Sequence, residues 1–236
     1  MKSVAVVCVS VVLFLSIGSS LGQIISTGQC REPVVVQNFN LASYSGAWYE
    51  VARYEQMFQR DGECVTSQYT LNSDGSSLSI QHRMLVPPSS QLIQISSQAV
   101  LSFPDQNPLQ GKLNISYGGQ PATSSNYWVL DTDYTSFSFI WSCFQVSDTI
   151  KGEYHWLLSR TVELSASAQQ RVDELSDAYL NRNYIRPTQH DLEYCVTVKD
   201  ADEEIPAENP VVAQEVAESA KLYARVAGLR NRRLKP

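Results

Sequence analysis

The stretch Tyr44-Ser45-Gly46-Ala47-Trp48-Tyr49-Glu50-Val51-Ala52-Arg53 opens the part of the chain whose reading decides the fold. From Ala47 to Thr161, runs of roughly five to ten residues alternate in character and are broken by turn residues, with almost no helical period. Strands are read at Ala47–Glu55, Cys64–Asn72, Ser77–Val86, Leu92–Phe103, Leu109–Tyr117, Asn126–Asp131, Ser136–Val146 and Glu153–Thr161. Asp74-Gly75 marks a hairpin, since both turn positions favour positive φ. Short links make a meander, and a meander of eight strands leaves two exposed edges unless the sheet closes. An eight-stranded closure has an interior the size of side chains or a small ligand.

After the last run, Ser167-Ala168-Gln169-Gln170 has the form of a capping box, followed by Ala168, Val172, Leu175 and Tyr179 at helical spacing. The expected fold is therefore all-β: an eight-stranded antiparallel up-and-down barrel with one C-terminal α-helix packed outside.

Upstream, Lys2, an apolar run of about 14 residues from Val4 to Ile17, and small residues through Ser20-Leu21-Gly22 read as a secretory signal peptide over residues 1–22. The run is short of the ~20 residues needed to span a bilayer. Its removal takes one of the five cysteines, Cys8, and leaves Cys30, Cys64, Cys143 and Cys195 for an oxidising compartment. Two disulfides are expected, and the residues alone permit three pairings. Zinc-type sites pair ligands two to four residues apart, which these cysteines do not, so no metal site is expected. The formal charge of -6 argues against nucleic acid as a partner. No linker divides residues 23–199, read as one barrel domain. Residues 200–236 form a charged extension, helical or disordered, with Asp202-Glu203-Glu204, a helix start at Asn209-Pro210 and a basic end.

The opening stretch, with Asn38-Phe39-Asn40-Leu41 ahead of it, resembles the first signature of the lipocalin family, whose core is Gly-x-Trp-Tyr. Thr132-Asp133-Tyr134 resembles the second signature and Arg160 the third, and all three occur in order. The cysteines and Trp-Tyr-Glu-Val-Ala-Arg are most similar to the branch holding apolipoprotein D, the insect bilin-binding proteins and the carotenoid-binding crustacyanins. The resemblance implies Arg160 packed across the Trp48 ring at the closed end, and bonds Cys30–Cys143 and Cys64–Cys195. Both Trp48 and Arg160 would then be structural rather than catalytic.

With Trp48 and Arg160 inward, strand alternation carries the inward set to Glu50, Ala52 and Tyr54 on the first strand and Tyr154, Trp156 and Leu158 on the eighth, provided no bulge intervenes. On the third run, Leu78, Ile80, His82 and Met84 share one face, with Gln81 and Arg83 on the other. On the fifth, Leu113, Ile115 and Tyr117 face inward, and the sequon Asn114-Ile115-Ser116 faces outward, where Asn114 could carry a glycan. By similarity to ligand-binding lipocalins, Ser67, Tyr69, Tyr127, Val129, Ser138 and Ile140 are set inward. The resulting candidate ligand residues are Tyr54, Ser67, Tyr69, Ile80, His82, Met84, Ile115, Tyr117, Tyr127, Val129, Ile140, Tyr154 and Trp156. This tyrosine-rich, largely apolar lining suits a flat conjugated or amphipathic molecule, with His82 able to hydrogen-bond a carboxylate or keto group.

The expected function is that of a secreted, extracellular binding and transport protein enclosing a bilin, carotenoid, retinoid or fatty-acid-like lipid. No cofactor is required; a bilin or carotenoid would be bound as ligand. Two alternatives stand beside it: a lipocalin-scaffold enzyme acting on a lipid, and an interaction protein whose tail stripe, Val212, Val216, Ala220, Tyr223 and Ala227, meets a membrane or protein partner. The enzyme version would need a free cysteine in the barrel or an oriented triad, and His82, His155 and His190 have nothing local to orient them. No oligomeric state is read from the sequence.

Overall fold

The computed structural model describes residues 24–56, 59, 61–87, 91–117, 126–191 and 195; the expected signal segment and the charged extension lie outside them. In chain order come β1 (Ile24–Thr27), a one-turn helix α1 (Leu41–Tyr44), β2 (Gly46–Tyr54), β3 (Glu63–Leu71), β4 (Ser77–Val86) and β5 (Gln91–Leu101). Then follow β6 (Lys112–Tyr117), β7 (Tyr127–Thr132), β8 (Phe137–Ser147), β9 (Ile150–Ser159), α2 (Ala166–Tyr179) and the short β10 (Ile185–Pro187).

Strands β2 to β9 pair as consecutive antiparallel neighbours, and β9 pairs back onto β2, so the eight close into a barrel. All eight expected strands are present, with two short ones in addition. β8 takes one edge of β9 along its length, so β1 and β2 share the other: β1 lies on Ile150–Glu153 and β2 on Trp156–Ser159. β10 covers the end of β2 at Ala52–Tyr54, beyond the stretch paired with β3. Both additions shield backbone that the open end would otherwise leave unpaired.

The fifth barrel strand departs from expectation at its start. β6 begins at Lys112 rather than Leu109, because the incoming N-terminal arm takes the backbone groups of residues 109–111. Phe39 N donates to Leu109 O at 3.0 Å and Gly111 N to Val36 O at 2.8 Å. This arm lies across the closed end, and Phe39 is buried beneath it. β6 and β7 share only two Cα-paired positions; beyond them the Asn126 side chain substitutes for a strand, accepting from Ile115 N at 2.8 Å and donating to Ile115 O at 2.9 Å.

Turns and caps follow local chemistry. At the β3–β4 hairpin only Gly75 takes positive φ (+68°), not Asp74; Asp74 instead accepts from Ser76 N at 3.0 Å, and Gly75 N donates to Asn72 O. This is the geometry of a type I turn followed by a left-handed residue. The cap of α2 is Ser165 rather than Ser167, its Oγ accepting from Ala168 N at 3.3 Å, so the helix starts a residue before the expected cap. The expected stripe holds: Ala168, Val172 and Leu175 are buried, with Tyr179 packed alongside, against Ala52, Leu130, Phe139, Trp141 and Leu157 on the outer face of the barrel. A separate inner cluster, including Trp48, Leu78, Ile80, Leu113, Ile115, Val129 and Ile140, fills the closed half.

Two disulfides join Cys30 to Cys143 and Cys64 to Cys195, the pairing that the resemblance implied. They tie the N-terminal arm to β8 and the C-terminal segment to β3.

Candidate functional site: the barrel cavity

The closed end sets the floor. The Arg160 guanidinium lies over the Trp48 ring, its Cζ 3.6 Å from the centroid, a cation–π stack. It also donates to five backbone carbonyls, those of Ser43, Tyr44, Ser45, Ala47 and Tyr134. Gly46 makes room for this: its φ is +104°, and a Cβ there would lie 3.1 Å from Arg160 Nη1. Trp48 is fully buried and its Nε1 donates to Tyr44 O at 2.9 Å.

Above the tryptophan, three buried phenols spend their hydroxyls on one another. Tyr127 Oη lies 2.9 Å from that of Tyr44 and 3.1 Å from that of Tyr69, and Tyr44 Oη lies 2.8 Å from Ser138 Oγ. Burial raises all three pKa values, that of Tyr44 to about 12, so the cluster is neutral.

Between this floor and the open end lies a narrow cavity of about 50 Å³. Its walls are Val65, Ser67 and Tyr69 from β3, His82, Arg83 and Met84 from β4, Ile93 and Ile95 from β5, Tyr117 and Tyr127 from β6 and β7, and Trp156 and Leu158 from β9; Glu50 and Gln59 complete them.

Seven candidate residues therefore border the cavity: Ser67, Tyr69, His82, Met84, Tyr117, Tyr127 and Trp156. Ile80, Ile115, Val129 and Ile140 face inward but pack the floor with Trp48 rather than line the cavity. Tyr154 sits one inward step nearer the mouth, stacked on Trp156 at 5.8 Å and on Phe144 at 5.6 Å, without bordering the cavity. Asn114 lies on the outward row of β6, its Oδ1 accepting from Ser102 Oγ at 2.8 Å.

Tyr54 and Ala52 correct the inward set. A bulge between Glu50 and Ala52 shifts the register, so that Glu50 faces Leu158 and Arg53 faces Trp156, while Ala52 faces Leu157 of the outer cluster. One extra residue reverses the alternation. Tyr54 then points outward, packs on His155 and Tyr184, and accepts from Asn181 N at 2.8 Å.

The same bulge turns Arg53 inward and builds a polar wall that the sequence did not announce. Arg53 Nη1 meets Glu50 Oε1 at 2.6 Å with both side chains buried, and Arg53 Nη2 donates to the carbonyls of Gln59 and Gly62. Thr188 Oγ1 donates to Glu50 Oε1 at 2.7 Å, and Gln59 Nε2 to Glu50 Oε2 at 2.9 Å. Gln59 Oε1 accepts in turn from Trp156 Nε1 at 2.8 Å. Each charge of the buried pair is thus hydrogen-bonded as well as paired, the condition under which burial is tolerable.

His82 stands two strands away, on β4. Its Nδ1 lies 2.9 Å from Ser67 Oγ and its Nε2 3.0 Å from Ser97 Oγ. Enclosure by the barrel pushes its pKa down to about 4, so the ring is neutral at physiological pH. The tyrosine rings of Tyr69 and Tyr117 flank it at 6.5 and 6.1 Å. Strand alternation places Glu50 and Leu158 inward, and Val65 follows from the parity of Ser67. Ile93 and Ile95 had an alternation but no anchor to orient it, and Gln59 reaches in from a connection with no periodicity at all.

Similarity to known proteins agrees with this architecture. The Lazarillo protein of Schistocerca americana is 30% identical over 169 residues, covering 70% of this chain and 77% of that protein. Apolipoprotein D of Macaca fascicularis is 26% identical over 176 residues, covering 70% and 82%. The solved structure of insecticyanin from the tobacco hornworm Manduca sexta superposes with a TM-score of 0.64 at 20% identity, over 74% of this chain and 93% of that one. The family model of the lipocalin-like domain matches residues 39–189, and with the closed barrel, the outer helix and the Trp48–Arg160 plug in place, this chain belongs to the lipocalin family.

Proposed function

We propose that this protein is a secreted carrier that encloses one small hydrophobic molecule in the barrel cavity. The observation that carries the reading is the cavity itself, walled by Tyr69, Tyr117, Tyr127, Trp156, Met84 and two isoleucines, above a floor whose polar groups are already satisfied. Apolar walls with a few placed polar groups are the form of a small-molecule site. The narrow free space fits a slender or flat ligand, a bilin, carotenoid, retinoid or fatty-acid-like lipid, with Met84 as an adaptable wall.

Binding rather than catalysis is supported by how the reactive groups are used. The four described cysteines are all in disulfides, and both His82 ring nitrogens meet serine hydroxyls, leaving no position for an orienting carboxylate. Disulfides also accord with an oxidising, extracellular setting, where Asn114 of the sequon would carry a glycan. Residues 1–22 are assigned as the signal peptide, 23–199 as the barrel domain and 200–236 as an extension.

The test is an absorbance spectrum from 300 to 750 nm of the mature protein from its native source, with mass spectrometry of its organic extract. A visible band or a stoichiometric hydrophobic extract is expected; a protein that carries no ligand and takes up none of the four classes when offered would overturn the reading.

A further inference from the structure

Within this cavity reading, the structure assigns a recognition point for one ligand group. We propose that Ser67, held by His82, whose other ring nitrogen meets Ser97, donates a hydrogen bond to the carbonyl oxygen of a neutral ligand, and that occupancy fixes the tautomer of His82.

The argument is a count of protons. A neutral imidazole carries one N–H and one bare nitrogen. His82 sits between two hydroxyls, Ser67 Oγ on Nδ1 and Ser97 Oγ on Nε2. One serine must therefore accept from the ring and aim its own proton elsewhere, while the other donates into the bare nitrogen. Ser67 borders the cavity and Ser97 does not. With the proton on Nδ1, the Ser67 hydroxyl is released toward the cavity and Ser97 satisfies Nε2. With the proton on Nε2, Ser67 is consumed by the ring and the cavity loses its donor. An acceptor oxygen in the cavity selects the first arrangement, since it gives every proton in the relay a partner.

The preference for a neutral acceptor comes from β2, the strand beside Ser67. Glu50 faces the same cavity, and the charge of Arg53 is already committed to it at 2.6 Å. Arg83 borders the cavity from a position whose cross-strand partners, Thr66 and Gln94, lie on the outer row. The ring of His82 resists protonation in this enclosure. A carboxylate beside Ser67 would be desolvated near the buried Glu50–Arg53 pair, with Arg83, which already has an interaction of its own, the remaining cation at the border, whereas a ketone or aldehyde incurs no such cost.

The experiment uses the mature protein with β-ionone, a neutral ketone, and β-ionylideneacetic acid, its carboxylate relative, titrated by tryptophan quenching. It also records the ¹⁵N shifts of the His82 ring. The ketone is expected to bind about tenfold or more tighter than the acid, and to move His82 to the Nδ1–H tautomer. Ser67→Ala should weaken ketone binding about tenfold, the scale of one buried hydrogen bond, and Ser67→Thr, which keeps the hydroxyl, should restore it. Ketone binding that ignores Ser67→Ala and leaves the His82 shifts unchanged would overturn the relay while leaving the cavity reading intact. Failure of both probes to bind the folded protein would overturn the cavity reading and the relay together.

Discussion

Arg160 satisfies five carbonyl oxygens and a tryptophan face with one planar cation, a task a lysine's single ammonium cannot copy. Arg160→Ala is expected to lower stability by about 2–4 kcal/mol, from the lost cation–π contact and the stranded carbonyls, read as a shift in the urea midpoint. The two enclosed histidines give a second residue-scale expectation. His82 and His155 both have folded pKa values pushed by burial from 6.5 down to about 4. Between those values the unfolded chain binds the protons and the native chain does not, so their contribution is complete above pH 6.5. It falls as the pH drops toward 4, by about 1.4 kcal/mol per pH unit for each histidine. Urea melts at pH 7, 6 and 5 check this, and His155→Gln should remove about half of the slope in that window.

At the scale of elements, α2 is an outer buttress and not a wall of the cavity. Leu175→Ala should cost about 2–5 kcal/mol of stability, the usual range for a buried leucine, and leave ligand affinity within about twofold; a large loss of affinity would place the helix in the site after all. The stripe of α2 was legible because Ala168, Val172, Leu175 and Tyr179 repeat at helical spacing, and the eight strands because their alternation is long. The bulge in β2 was not legible. Nothing in Glu50-Val51-Ala52-Arg53 marks which residue is extra, because a bulge is a property of two paired strands rather than of one. Its consequence was large: it sent Tyr54 outside and Arg53 inside. β1 and β10 were missed for a related reason, being stretches of four and three residues whose conformation is set by the edge they cover. Gln59 could not be anticipated either, since it acts from a connection.

For the molecule as a whole, the two halves of the barrel do different work. The closed half is packed solid by the arm, the Trp48–Arg160 plug and the phenol cluster. The upper half keeps its space, with disulfides holding the flanking segments that a less filled interior cannot hold by packing alone. Loops of 113 and 131 residues each remove roughly 4–5 kcal/mol of unfolded-state entropy in the chain-entropy model. This division places the ligand above Tyr69 and Tyr127 and inside the wall formed by Val65, Ile95 and Trp156. Filling that space from the wall is the most direct test. Retinol binding should be titrated on the wild type and on Ile95→Trp, with circular dichroism and thermal melting confirming that the variant is folded. The cavity account predicts that the folded variant loses retinol affinity by about a hundredfold or more, as expected when a bulky side chain occupies the ligand's place. Undiminished binding to the folded, plugged barrel would contradict it and move the ligand to the outer surface.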